Sequence, residues 1–261
     1  MNHLFDIACN FTHESFEADL DEVISSSINA NVDKFLVVAA ELKDLPKINK
    51  IVSKFPDRCY FTIGVHPHHA NNFTINSINE IKSSAKENMP NAFGEMGLDF
   101  FRNLSSQEDQ IYAFEEQIKI AIEFNRPIFL HQRDAHDEFI KILKKYKNDL
   151  TKSVVHCFTG TQKELDEYLE CGCYIGLTGW ICDERRNKDL RASIQNIPLD
   201  RLMVETDCPY LIPRNLNPKP KNNRNDPSNL THIVNEITSL RSEDFDEICL
   251  ETYKNSINFF K

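Results

Sequence analysis

Eight short apolar runs recur along the chain, separated by stretches long enough to hold a helix, and this alternation restricts the fold more than any other feature. The runs are Leu4–Cys9, Lys34–Ala39, Tyr60–Gly64, Asn91–Gly94, Pro127–His131, Ser153–Cys157, Tyr174–Thr178 and Arg201–Glu205. They are nearly continuous in apolar residues, as strands covered on both faces of a parallel sheet must be. The intervening segments carry helical periodicity. In Ser106–Phe124 the positions Ile111, Phe114, Ile118, Ala121 and Ile122 share one face, and a Ser105–Glu108 capping box is expected at its start. A second helix is expected from Thr161, with Glu164 completing a capping box and Gly172 ending it. Eight strand–helix units in 261 residues predict a TIM-type (β/α)8 barrel rather than an open doubly wound sheet. No linker or low-complexity tract divides residues 1–261, so a single domain is expected. A Pro-, Asn- and basic-rich loop, Pro213–Pro227, precedes two closing helices.

Polar residues suited to metal chemistry stand at the carboxyl ends of successive runs. They are His66 in GVHPH, Glu95 in GEMGLD, His131 in FLHQRD, His156 in VVHCFTG, and Glu205 and Asp207 in VETDCPY. In a barrel all these ends share one rim, where residues distant in sequence meet in one pocket. Imidazoles and carboxylates together suit a divalent cation, which polarises a phosphoryl or carbonyl oxygen and acidifies a bound water. One histidine at a strand end is ordinarily structural, and a carboxylate beside Cys-Pro can be a helix cap. Glu95, His131, His156 and Asp207 at four separate strand ends are read instead as one site. His66 and His68 either line that pocket or shape its loop. His3, His13 and His232 are expected to be structural or on the surface.

The net charge of −10 excludes a protein that coats nucleic acid over its whole surface, but not one that holds phosphates locally. The eight cysteines are scattered, several within apolar runs, and are expected to be buried, reduced thiols. The chain contains no apolar stretch long enough to span a membrane, and its start has no secretory pattern, so no membrane association and a cytoplasmic location are expected.

The segments GVHPH (64–68), GEMGLDF (94–100), HQRDAH (131–136), HCFTG (156–160), TGWICDERR (178–186), ETDCPYL (205–211) and PRNLNPKPKNNRNDPSNL (213–230) resemble the signatures of the TatD deoxyribonucleases, in family order and over nearly the whole chain. The resemblance implies an irregular TIM barrel of the metal-dependent hydrolase superfamily, a divalent metal, and hydrolysis of DNA from the 3′ ends of single strands in DNA repair or degradation; a monomer is expected. It implies Glu95 as the metal-bridging carboxylate, His131 and His156 as ligands, and Asp207 as a further ligand or as the acceptor of the attacking water's proton. Arg133 and either Arg185 or Arg186 are expected to reach phosphate, with the Lys219–Arg224 loop adding positive charge. His66 and Asn10 are expected at the substrate, and Phe100, Phe101 or Trp180 could stack on terminal bases.

Most of that family carries a His-x-His pair at the end of strand one, where this chain has Ala8 and Asn10. Loss of two imidazoles shifts the expected preference towards Mg²⁺, with Mn²⁺ and Zn²⁺ as alternatives, and towards one firmly held ion. Two rival readings keep the barrel: an amidohydrolase-like enzyme acting on a small ester or amide, and a non-catalytic scaffold with a degraded metal site.

Overall fold

The computed structural model describes residues 2–220 and 222–261. Eight strands lie side by side in chain order: β1 (Leu4–Cys9), β2 (Val32–Val37), β3 (Cys59–Ile63), β4 (Ala92–Asp99), β5 (Ile128–Arg133), β6 (Ser153–Val155), β7 (Tyr174–Leu177) and β8 (Leu202–Val204). Every neighbouring pair is parallel. Helices α1 (Leu20–Asn29), α2 (Leu45–Lys54), α3 (Ile75–Glu87), α4 (Gln107–Glu123), α5 (His136–Tyr146), α6 (Gln162–Glu170) and α7 (Lys188–Ser193) fill the crossovers, and α8 (Leu230–Thr238) and α9 (Phe245–Phe260) follow the last strand. This is the expected irregular TIM-type barrel.

Strand alternation divides the core in two. Phe5, Ile7, Leu36, Val38, Phe129, Val154 and Met203 form one cluster, of the parity that points into the barrel. Their neighbours Leu4, Phe35, Val37, Leu130, Val155 and Val204 belong to the larger cluster shared with the helices. The end of α9 closes the barrel floor: Phe260 lies 5.6 Å from Phe5, and Phe259 lies 5.2 Å from Tyr174, ring to ring. With the floor plugged by apolar side chains, polar chemistry is confined to the opposite mouth.

The sheet closes at a thin seam. β1 meets β8 through a single bridge, Cys9 with Cys208, and through Asn10 N donating to Cys208 O at 2.9 Å. The Asp6 carboxylate replaces missing ladder bonds by accepting from Thr206 N at 2.9 Å and from the Thr206 hydroxyl. A buried carboxylate at a seam is tolerated because it is hydrogen-bonded.

Three local expectations are corrected. β2 starts and ends two residues before the expected Lys34–Ala39, because Val32 pairs with Leu4 while Val38 and Ala39 leave the ladder to bond Cys9 O and the Thr62 hydroxyl. β4 runs on to Asp99 rather than stopping at Gly94, since pairing with β5 resumes at Met96–Leu130 after a register shift. The glycines bounding Glu95 on this strand do not end it; a Cβ at Gly94 would meet Phe129 O at 2.3 Å, and one at Gly97 would meet His131 O at 1.9 Å. They let β4 lie tight against β5. The cap of α4 is Ser106, which accepts from Asp109 N, while Ser105 is buried and bonds His68 O and Asn71. The α6 capping box of Thr161 and Glu164 and the left-handed Gly172 beyond it are as expected.

Candidate metal centre

Glu95 occupies the register shift of β4, with its N–H bonded to Ala39 O at 3.1 Å instead of to the adjacent strand. The bulge turns its side chain into the mouth. There three imidazoles converge on one oxygen: His131 Nδ1 and His156 Nε2 each lie 2.8 Å from Glu95 Oε1, and His66 Nε2 lies 3.3 Å from it. His131 comes from β5, His156 follows β6, and His66 follows β3. Ligand atoms of His66, Glu95 and His131 all lie within 4.8 Å of one another.

The cluster is electrostatically organised around Glu95. Burial alone would push its carboxyl up, but the charges of His156 and His66 and hydrogen bonds from His131 and His156 hold it well below the usual carboxylate range. Burial would lower His156, yet the Glu95 and Glu205 carboxylates outweigh it and raise the imidazole well above its ordinary value. Burial opposes charge on His131 too, and hydrogen bonds with Asp99 and Glu95 overcome it, so this imidazole is also raised. His66 goes the other way, pushed by burial down to about 4, the nearby Glu95 opposing.

Asp207 follows β8 in a left-handed turn (φ 55°) and lines the same cavity. Burial lifts its carboxyl to about 7; Glu95 and Glu205 add to the lift, while His156 and the amide of Asn10 oppose it. Asn10 donates to Asp207 Oδ1 at 3.0 Å and to Cys208 O at 3.1 Å.

The remaining expected residues divide. Arg133 lines the cavity, its guanidinium over the Phe101 ring at 4.0 Å. Arg185 is exposed and held by Asp183 in a two-pronged pair at 2.9 and 2.8 Å, and Arg186 is exposed beside Trp180; neither lines the cavity. In the basic loop, Arg224 is turned to Asp19 at 2.7 Å, covers the Phe16 ring and does not line the cavity. Lys221 of that loop lies outside the described residues.

Two groups were given no role by the sequence reading: Asp99, and Glu205, which was named only for its place at a strand end. Asp99, 1% exposed, places Oδ2 2.6 Å from His68 Nε2 and 3.5 Å from His131 Nε2, so one carboxylate faces two imidazoles. Glu205 sits 3.6 Å from His156 Nδ1 and accepts from Cys157 N. The available signal for Asp99 was its place four residues beyond Glu95, on the same face of an extended strand; ending the strand at Gly94 hid it.

These residues fit a divalent cation. His131 Nδ1, His156 Nε2 and His66 Nε2 all face Glu95 Oε1, and this donor set mixes imidazole nitrogen with carboxylate oxygen. A second trio of possible ligands, Asp6, Cys9 and Cys208, fits less well, because both Asp6 oxygens already accept hydrogen bonds. The cavity over the Glu95 cluster has a volume of about 750 Å³ and is open to solvent.

The family model described as TatD related DNase matches residues 5–261. A curated relative from Pectobacterium carotovorum subsp. carotovorum, named 3′-5′ ssDNA/RNA exonuclease TatD, is 43% identical over 258 residues, covering 99% of each chain. Among solved structures, YjjV, a TatD homologue from Escherichia coli K12, superposes with a TM-score of 0.90 at 26% identity, covering 100% of this chain and 99% of its own. A TatD family hydrolase from Entamoeba histolytica superposes with a TM-score of 0.88, also at 26% identity, covering 99% of this chain and 98% of its own.

Proposed function

The chain belongs to the TatD related DNase family, and from that premise we propose that it is a metal-dependent 3′–5′ exonuclease acting on unpaired strands of DNA. The observation that carries this reading is the convergence of His66, His131 and His156 on one oxygen of Glu95 at the barrel mouth. The name of the Pectobacterium relative extends the substrate to single-stranded RNA as well.

Glu95, His131 and His156 would hold the cation, with His66 and Asp207 beside them; with Ala8 and Asn10 in place of two further imidazoles, Mg²⁺ is the proposed ion, with Mn²⁺ and Zn²⁺ as alternatives. When bound, such a cation supplies Lewis acidity to a phosphoryl oxygen and lowers the pKa of water. The chain's own groups do the rest. Asp207, which lines the cavity and has its Oδ1 held by Asn10, accepts the proton of the attacking water. Arg133 presents planar donors to a phosphate. Attack on the terminal phosphodiester forms a phosphorus–oxygen bond to water and breaks the bond to the 3′ oxygen of the remaining strand, which leaves with a proton. The product is a 5′-mononucleotide. Within this proposal the whole chain acts as one domain and as a monomer in the cytoplasm, a compartment that suits its eight free cysteines.

The test is hydrolysis of 3′-labelled single-stranded DNA in Mg²⁺ or Mn²⁺, beside small acyl esters and amides. Labelled mononucleotide is expected from the parent, and a loss of about a hundredfold or more in His131→Ala and Asp207→Asn. Turnover of the acyl substrates alone would move the chain to the amidohydrolase reading, and failure to act on either set or to bind either ion would leave the scaffold.

A further inference from the structure

Three aromatics near the mouth are possible stacking surfaces, and the structure separates them. Phe100 and Trp180 are partly buried and packed against the core. Phe101 is 58% exposed and lines the cavity that holds the Glu95 cluster; Trp180 lines it as well, and Tyr210, 52% exposed and three residues beyond Asp207, is the other exposed aromatic of that lining. Its position is fixed: its own N–H donates to Asp99 Oδ1 at 3.1 Å, the next N–H donates to the same oxygen at 2.8 Å, and Phe100 N bonds Arg133 O at 2.9 Å. A large apolar ring exposed at the edge of a polar cavity, on a backbone turn held by Asp99, has no role in the core.

Arg133 completes the arrangement. Its guanidinium carbon lies 4.0 Å from the centre of the Phe101 ring, so the cation lies against the aromatic ring. Among the described residues it forms no ion pair, although Asp99 and Asp134 also line this cavity. Arg102, likewise without an ion pair among the described residues, also lines the cavity, but only Arg133 lies against an exposed cavity-lining ring, which places an open guanidinium fork beside a possible stacking surface.

We propose that Phe101 and Arg133 form a nucleotide subsite beside the Glu95 cluster, the open part of the Phe101 ring receiving an unpaired base and the edge of the guanidinium receiving a phosphate of the same strand. This deepens the nuclease reading and rests on it. Selection for single strands follows directly, since a base inside a duplex has both faces covered by its neighbours and offers none to Phe101. The subsite reads no base identity, because every base has a π-face.

The experiment measures equilibrium binding of a fluorescein-labelled octathymidylate by anisotropy in EDTA, where hydrolysis is stopped, and repeats it with abasic sites in the two 3′-terminal positions. The parent is expected to bind the abasic strand about tenfold or more weakly. Phe101→Ala and Phe101→Leu should bind the intact strand as weakly as the parent binds the abasic one, and should no longer tell the two apart. Phe101→Trp should restore the discrimination, and Arg133→Lys, which keeps the charge without the planar fork, should bind both strands less tightly. Equal binding of intact and abasic strands by the parent would overturn the subsite, as would full discrimination retained in Phe101→Ala or lost instead in Tyr210→Ala. A parent that neither binds nor hydrolyses any nucleic acid sinks the nuclease reading itself, so the two failures are distinct.

Discussion

Asn10 reaches across the β1–β8 seam and donates its side-chain amide to Oδ1 of Asp207 at 3.0 Å. Asn10 stands where the wider family resembled by this chain carries the second histidine of its strand-one pair. Here that position supplies a neutral donor to a carboxylate whose burial has already lifted it to about 7. The donor favours the ionised form and leaves the second oxygen free.

Removing that donor should slow the reaction. Asn10→Ala is expected to cut kcat on 3′-labelled single-stranded DNA by about tenfold to a hundredfold, the range of a hydrogen bond to a charged group. Asn10→Asp should cost more, because a second carboxylate would face the first at hydrogen-bond distance. A kcat for Asn10→Ala within twofold of the parent would remove Asn10 from the mechanism.

Asp99 is placed to orient the imidazole of His131 from behind while Glu95 meets it from the front. Carboxylates in this position typically contribute 10- to 100-fold in metal affinity. Calorimetric titration of Asp99→Asn with Mn²⁺ should therefore show a dissociation constant about 10- to 100-fold weaker than the parent's. An unchanged constant would limit Asp99 to holding His68 and the Phe101 turn.

Asp6 makes stability depend on pH. Burial raises its carboxyl from 3.8 to about 7 in the fold, the charge of Glu205 adding a little and hydrogen bonds from Thr206 and Ala8 opposing. Between those values the folded protein holds a proton that the unfolded chain has released, so this group's contribution to stability is complete below about 4, declines as pH rises, and is gone above about 7. The full cost of the ionised form is roughly 4 kcal/mol. Asp6→Asn can still accept from Thr206 N and donate to the Thr206 hydroxyl, as the protonated acid does. Denaturant melts should find the Asp6→Asn variant more stable than the parent at pH 8, with a gap that narrows by more than half at pH 5. Parallel pH profiles for the two proteins would show that Asp6 does not titrate in this range.

Much of the barrel could be read from the sequence because burial on both faces leaves a simple mark. β1 has its expected limits, and β5 through β8 differ from theirs by one or two residues at one or both ends. What could not be read depended on backbone geometry. The bulge that aims Glu95 arises from a close β4–β5 approach permitted by Gly94 and Gly97, and the same glycines were read as a strand end. Asp99 disappeared with that misreading. The convergence of histidines on Glu95 followed from strand-end position alone, whereas the fate of each arginine did not. Arg133, Arg185 and Arg224 look alike in sequence, and only the neighbours supplied by the fold, Phe101, Asp183 and Asp19, separate a free guanidinium from two paired ones.

The central claim is that groups from separate strands meet around one hard cation. Anomalous scattering from a crystal soaked in Mn²⁺ tests it most directly. A single strong peak is expected about 2.0–2.3 Å from a Glu95 oxygen and from nitrogens of His131 and His156. A peak anywhere else, or none at millimolar Mn²⁺, would contradict it.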